Sequence, residues 1–315
     1  MSREDREHLA ELIQVARWYY EDELSQAEIA DRVAYSRPTV SRMLSEARQR
    51  GIVKVVIEHP MEREVALERR LAEEFGCAAR VTTAADGEPA LTSVARVAGQ
   101  LLVDACRDKS VLAVSAGSAV AAVVQEVPEA SLRRLMVVQM IGSLSDDNPL
   151  VDSPEVTRGM AARLGASYRL LPAPLIVRSA QLSSALRREE PVANAIALAS
   201  HADIALVGVG AVDATGKSGQ IFQGWLSPSE RRLVASLGAV GHISGHHFDA
   251  EGRHIRSEVC SRVMSADLDT LNAVGTVIGV AAGMHKAVAI RGALRGGHLD
   301  VLVTDDRTAE AVLRP

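Results

Sequence analysis

The sequence predicts an α/β chain in two parts: a small N-terminal winged helix-turn-helix domain, then a larger doubly wound α/β domain. Three observations predict it. Residues 26–44 read as two short helices joined by a tight turn. From residue 79 onwards, short apolar runs alternate with helical patterns, as in a parallel sheet with helical crossovers. At 315 residues the chain exceeds a helix-turn-helix module several-fold, so the second part must be a domain in its own right. The division is expected at Pro60, giving residues 1–59 and 60–315.

Each element has a local reason. Leu9, Leu12, Ile13, Ala16, Trp18 and Tyr19 give a first helix its apolar stripe. In the helix pair that Gln26 opens, Ile29, Val33, Val40 and Leu44 face inward, and Ala30 is small where the helices cross. Ser36 can cap the second helix, and Pro38 sits in its first turn, where a missing N–H costs nothing. The turn position that often carries Gly, for φ > 0, is Ala34, so a strained or slightly altered turn is expected. The second helix carries Arg37, Thr39, Ser41 and Arg42, the way a helix-turn-helix presents side chains to a DNA groove. It ends at Gly51, and the β-branched run Ile52–Glu58 reads as one or two strands, either a wing with Lys54 near the DNA backbone or a strand that only packs on the helices.

Charge supports that reading. Between Arg32 and Lys54 the basic residues are Arg32, Arg37, Arg42, Arg48, Arg50 and Lys54, against Glu46 alone. The stretch before it is acid-rich, and the whole chain carries a net charge of −5, which excludes a uniformly basic nucleic-acid coat. A local basic face on an acidic chain is the footprint of phosphate contact. Double-stranded DNA is therefore the expected partner, with Gln26, Ser36, Arg37, Thr39, Ser41, Arg42, Arg48 and Lys54 as candidate contacts.

In the larger part, residues 64–76 form an amphipathic helix read as the first of the second domain, because a strand over 79–83 follows at once. Helices are expected over 91–106, 118–125, 154–164, 180–186, 192–200, 228–237, 284–294 and 308–313. Buried parallel strands are expected over 111–114, 135–140, 204–209, 274–281 and 301–303. Ligands of such sheets bind beyond the carboxyl ends of the strands, which turns the strand-to-helix turns into the candidate site.

Four of these turns carry chemistry. Ser115-Ala-Gly-Ser118 offers small residues, free N–H groups and a hydroxyl, suited to a phosphate. Gly208-Val-Gly210 starts like a dinucleotide fingerprint, but Asp213 stands where the third Gly belongs, so NAD binding is rejected. Lys286 follows Ala282-Gly283 at the first turn of a helix, a position disfavoured for a cation unless an anion binds there. Thr304-Asp305-Asp306 closes the last strand; Asp306 is expected to cap the final helix and Asp305 to reach the ligand. The candidate effector contacts are thus Ser115, Gly117, Ser118, Gly208, Gly210, Gly283, Lys286 and Asp305.

His242, His246, His247 and His254 cluster, but Asp249–Gly252 is a good turn sequence. The segment reads as a hairpin with exposed polar tips rather than a metal site, and neither metal nor cofactor is expected. Cys77, Cys106 and Cys260 lie far apart, without a disulfide framework, which fits a reducing cytoplasm. The charged N-terminus is unlike a signal peptide, and no apolar run is of membrane-spanning length, so a membrane partner is not expected.

Several motifs together resemble the SorC family of sugar-binding bacterial transcriptional regulators along nearly the full length. They are Ser36-Arg-Pro-Thr-Val-Ser-Arg42, Gly208-Val-Gly-Ala211, Leu226-Ser-Pro-Ser-Glu230, Gly238–Gly245, Phe248-Asp249, Ala282-Gly283 with Lys286, and Leu294-Arg-Gly-Gly297 with Leu302–Asp305. The resemblance implies a winged helix-turn-helix and an effector domain similar in fold to sugar-phosphate isomerases and glucosamine-phosphate deaminases. It implies phosphorylated-sugar binding at the sheet's carboxyl edge, with the phosphate loop on Ser115–Ala119 and its basic partner at Lys286, and assembly into a dimer or tetramer. The sequence departs from the family at Ala116 and Ala119, which replace bulkier or polar residues, and at His242, where the family usually has Asp. The expected function is a DNA-binding regulator controlled by a small carbohydrate. The alternative is an isomerase- or deaminase-like enzyme with a fused helix-turn-helix, for which Asp203, Asp213 and Asp305 are available as bases.

Overall fold

Helices α1 (Arg3–Tyr20), α2 (Gln26–Val33) and α3 (Arg37–Gln49) build a unit of their own, for the chain separates into Met1–His59 and Pro60–Pro315. The structure, a computed structural model, describes residues 3–53, 60–144, 151–214, 222 and 225–314. The first unit closes around Leu12, Val15, Ile29, Ala30, Val40, Met43 and Leu44. Ile13, expected inside, is 37% exposed, and Val15 takes its place. The reason is helical phase: residues 12, 15, 16 and 19 share one face, and residue 13 lies a step of about 100° away from 12.

The caps set the helix boundaries. Ser25 and Glu28 form a reciprocal capping box that starts α2, one residue before the motif read from the sequence. Ser36 caps α3 by accepting from the Thr39 N–H, with Pro38 in the first turn, as expected. Ala34 adopts φ 56° and ψ 33°, so a left-handed alanine does make the turn. That conformation costs an L-residue ~1–2 kcal/mol, against a glycine entropy of ~0.5–1 kcal/mol. Ala34→Gly is therefore expected to stabilise this unit by up to about 1 kcal/mol. Unfolding followed by Trp18 fluorescence in a Trp225→Phe background measures it; a lowered midpoint would contradict the strain. After α3, the N–H groups of Ile52 and Val53 both donate to Ala47 C=O, at 2.9 and 3.2 Å, so they close the helix rather than begin a strand. The rest of the expected wing, including Lys54, lies outside the described residues.

The second unit runs α4 (Pro60–Phe75), β1 (Ala78–Thr82), α5 (Ala90–Ala105), β2 (Val111–Val114), α6 (Ser118–Glu126), β3 (Met136–Gln139), α7 (Ser153–Leu164) and β4 (Ser167–Arg169). It continues with α8 (Ala180–Leu186), α9 (Glu190–Ser200), β5 (Ile204–Gly208), β6 (Gly210–Ala211), α10 (Pro228–Ser236), β7 (Gly241–Ile243) and β8 (His246–Phe248). The last elements are β9 (Thr276–Val280), α11 (Ala287–Arg295), β10 (Val301–Asp305) and α12 (Asp306–Val312). Seven strands form one parallel sheet in the order β1-β10-β9-β5-β2-β3-β4. Alternate residues feed separate cores. Ala113, Val138, Ala205, Val207 and Leu302 face one side, and Leu112, Val114, Val137, Leu206 and Val303 the other. A sheet covered on both faces explains why its strands read as unbroken apolar runs. The edge strand β4 has no such run, being three exposed residues, and the sequence reading missed it.

The histidine segment is a hairpin, and Glu251 in the turn that follows it is exposed as expected, but the two strands themselves are buried. Strands β7 and β8 meet through Ser244 (φ 50°) and Gly245 (φ 86°), both left-handed as a tight hairpin turn requires. His242, His246 and His247 are all buried. Gly241 lies so close to α11 that a Cβ there would meet Ala289 at 2.7 Å, so the hairpin is pressed beneath a helix instead of standing in solvent. His247 stacks on Phe222 at 5.0 Å, and burial, then the neighbouring His242, holds its pKa well below the usual value.

Candidate functional site

Two surfaces carry chemistry, one in each unit. On α3 the residues Arg37, Ser41, Ser45 and Arg48 fall at spacings of four, four and three, a single stripe, with Arg42 beside it; all are exposed. The opposite face, Val40, Met43, Leu44 and Ala47, is buried in the small core. Among the described residues no carboxylate pairs with Arg37 or Arg42. Arg50, by contrast, is paired with Glu46 at 2.6 Å, and Glu46 also meets His8 at 3.0 Å. The hydrogen bond to His8, helped by the charge of Arg50, holds the Glu46 carboxyl below its usual range against the opposing effect of desolvation. The one acid of this segment is thus already neutralised. Arg48 donates from Nε to Tyr20 Oη at 2.8 Å, and its guanidinium lies 5.8 Å from that ring's centroid, which orients it.

Two of the expected DNA contacts are used differently. Ser36 Oγ accepts the Thr39 N–H, and the two hydroxyls lie 2.8 Å apart, so Ser36 and half-buried Thr39 are occupied in capping α3. Gln26 stands half-buried at the first turn of α2. The exposed set that remains is Arg37, Ser41, Arg42 and Arg48.

In the second unit a cavity of about 650 Å³ opens at the carboxyl ends of the central strands. Its place follows from the topology. From β2 the chain first moves outward to β3 and β4, then returns to β5 on the other side of β2, so the strand order reverses between β2 and β5. A crevice forms at such a reversal because the two crossovers leave on opposite faces. The turn after β2 contributes Ser115, Ala116, Gly117, Ser118 and Ala119; the turn after β5 contributes residues 208–213; the turn after β9 contributes Ala282, His285 and Lys286. The hairpin adds His242 and Ser244.

The electrostatics of the cavity favour an anion. Gly117 begins α6 at φ 102°, and no side chain caps that end, so the first N–H groups of the helix open towards the lining. Gly117 itself donates its N–H to Val151 C=O, which makes it a conformational residue rather than a donor. Lys286 is half-buried, and burial lowers its pKa. Among the described residues no carboxylate forms an ion pair with it. Ser244 Oγ donates to buried Ser115 Oγ at 3.2 Å and ties the hairpin to the turn after β2. Gly210 makes room for the hairpin: a Cβ there would lie 2.0 Å from His242 Nε2, so the ring would have to move.

Two expected effector contacts prove to be supports. Gly283 and Asp305 do not line the cavity. Asp305 accepts the Thr308 N–H at 2.9 Å and caps α12, and it also accepts the Gly283 N–H at 3.2 Å. The cap is therefore Asp305, whereas Asp306 lies 3.5 Å from Arg63. Buried carboxylate oxygens spent on backbone N–H groups hold the turn that carries Lys286. The sequence reading missed His242, Ser244 and His285 as lining residues. The only signal it had for any of them was the departure from the family pattern at His242.

A family model described as "Putative sugar-binding domain" matches residues 59–314, and one for a Crp-like helix-turn-helix domain matches residues 7–62. Transcriptional regulator LsrR of Klebsiella pneumoniae is 34% identical over 307 residues, 96% of this chain and 93% of that protein. The chain belongs to the SorC family of sugar-binding transcriptional regulators. The Deoxyribonucleoside regulator of Bacillus subtilis is another relative, 29% identical over 98% of this chain and 99% of its own length. The full-length sorbitol operon regulator SorC from Klebsiella pneumoniae superposes with a TM-score of 0.75 at 26% identity, covering 96% of this chain and 98% of that one. This SorC-family chain is accordingly a transcriptional regulator with a DNA-binding helix-turn-helix and a sugar-binding domain. Among its described residues no helix is long and apolar enough to cross a membrane.

Proposed function

We propose that a small phosphorylated carbohydrate seated in the switch-point cavity controls how tightly this regulator holds double-stranded operator DNA. The observation that carries the reading is the pairing of Lys286 with the uncapped start of α6 on one cavity lining. A half-buried cation and a helix N-terminus are each costly without an anion, and a phosphate satisfies both. Ser115, Ser118 and Lys286 are assigned to the phosphate, with Gly208, Gly210, Asp213 and His242 around the sugar. A cavity of this volume lies within the ~300–1,000 Å³ range of small-ligand sites. The regulator works in the cytoplasm as a dimer or tetramer, so that two recognition helices meet two half-sites.

The cavity is a sensor rather than a catalyst. Of the three carboxylates available to an enzyme, Asp203 accepts the Val111 N–H at 2.7 Å at the amino end of the sheet, and Asp305 is a helix cap. Only Asp213 reaches the lining. A thermal-shift screen of the full chain against sugar phosphates, the parent sugars and inorganic phosphate tests the proposal. At about 100 times its Kd the effector adds ~2.7 kcal/mol. For a domain of this size that raises the midpoint by ~5–10 °C. Equal shifts from the parent sugars would remove the phosphate, and no shift from any of them would remove the effector reading.

A further inference from the structure

The hairpin that lends His242 and Ser244 to the cavity carries a second constellation that does not line it. His246 Nδ1 lies 3.4 Å from Cys260 Sγ, and His254 Nε2 lies 3.2 Å from the same sulfur. All three atoms are within 4.8 Å of one another. A tetrahedral zinc ion, with Zn–S near ~2.3 Å and Zn–N of ~2.0–2.1 Å, holds its ligand atoms roughly 3.3–3.6 Å apart. Both nitrogen–sulfur distances are close to that spacing, and the two nitrogens lie within reach of it by side-chain adjustment.

The far sides of both rings are arranged as a metal's outer shell. His254 Nδ1 lies 3.3 Å from Asp269 Oδ2 and 3.5 Å from Asp267 Oδ1. His246 Nε2 lies 2.8 Å from Ser265 Oγ. A carboxylate keeps the proton of His254 on Nδ1 and leaves the Nε2 lone pair aimed at sulfur. Ser265 Oγ can accept an N–H from His246 Nε2, and in that tautomer the Nδ1 lone pair is aimed at the same point. The thiol has one proton for two lone pairs, whereas one cation satisfies all three ligands. Both imidazoles are nearly withdrawn from solvent: His246 is buried and the His254 side chain is 4% exposed.

We propose that His246, His254 and Cys260 bind a zinc ion whose fourth position is open to water. Two imidazoles and a thiolate suit zinc and exclude magnesium and calcium, which take oxygen ligands. On binding, the Cys260 S–H bond breaks, the proton passes to solvent, and the thiolate bonds to the metal. The ion joins β8 to the segment that carries His254 and Cys260. It thereby stiffens the hairpin that forms one wall of the effector cavity, whatever ligand the cavity takes.

The test uses the untagged full-length chain. Elemental analysis after dialysis in metal-free buffer is expected to give about one zinc per chain, retained or restored on titration. Cobalt(II) replacing the zinc is expected to show a thiolate-to-cobalt charge-transfer band and the strong visible bands of tetrahedral coordination. Cys260→Ala and His254→Asn should abolish that band and drop the zinc content at least tenfold, whereas Cys77→Ala/Cys106→Ala should keep both. The wild-type cobalt spectrum decides even if a variant misfolds: no charge-transfer band, or no zinc taken up on titration, overturns the site. A zinc content unchanged by Cys260→Ala does so equally.

Discussion

Arg37→Ala is expected to lose most of its ability to tell an operator from an unrelated duplex, by about 5- to 150-fold. That range is the ~1–3 kcal/mol by which one bidentate arginine–guanine pair discriminates bases. The structure supplies the reason to choose this side chain. Arg37 stands exposed at the start of α3, with no acid among the described residues to hold it, while the apolar face of the same helix is locked in the small core. Arg42, exposed beside it, should behave similarly. Arg48 should differ, because Tyr20 fixes its guanidinium on the flank of the helix. Arg48→Ala is expected to weaken all sequences alike and to lower the slope of log K against log salt by ~0.9, one phosphate contact. Competition binding at several salt concentrations separates the two. Unchanged discrimination in Arg37→Ala would remove it from base recognition.

Lys286→Ala should leave operator affinity intact and abolish the response to the effector. Hydrogen bonds to charged groups contribute ~1.5–3 kcal/mol, so effector affinity should fall about 10- to 150-fold. That loss matters because moving a regulator from mostly bound to mostly released takes ~10⁴-fold differential affinity, ~5.5 kcal/mol. One lysine thus supplies a large part of the switch. Its pKa is lowered by burial, and a phosphate favours the charged form. Wild-type effector affinity should therefore decline as pH rises towards that lowered pKa, and Lys286→Arg, which cannot lose its charge, should flatten the decline. Calorimetric titration of the effector across alkaline pH measures both. An effector response that survives Lys286→Ala would place the anion elsewhere.

Much of the fold was legible because its causes are local. Ser36 and Pro38 start α3 through groups no more than three residues away, and the run Val111–Val114 announces a doubly covered strand by its own composition. The glycine turn after β2 was legible for the same reason, since a strand, a glycine and a helix start are consecutive. Ile13 and β4 were misread where the phase of a helix, or a partner strand, decides burial. Asp305 was misread because one of its two oxygens is spent across a chain separation: beside the local cap to Thr308 it accepts the Gly283 N–H, which only the pairing of β9 with β10 brings near.

The amino-acid order by itself determined the two-part organisation, the recognition helix with its basic stripe, and the alternation of buried strands and helices. Each of these follows from forces acting over one or two turns of chain. Tertiary structure alone decided that the histidine hairpin is buried under α11, that Gly210 makes room for His242, and that His246, His254 and Cys260 converge on one point. Those outcomes depend on which surfaces pack together to exclude water. Close packing couples residues far apart in sequence, and no local pattern records it.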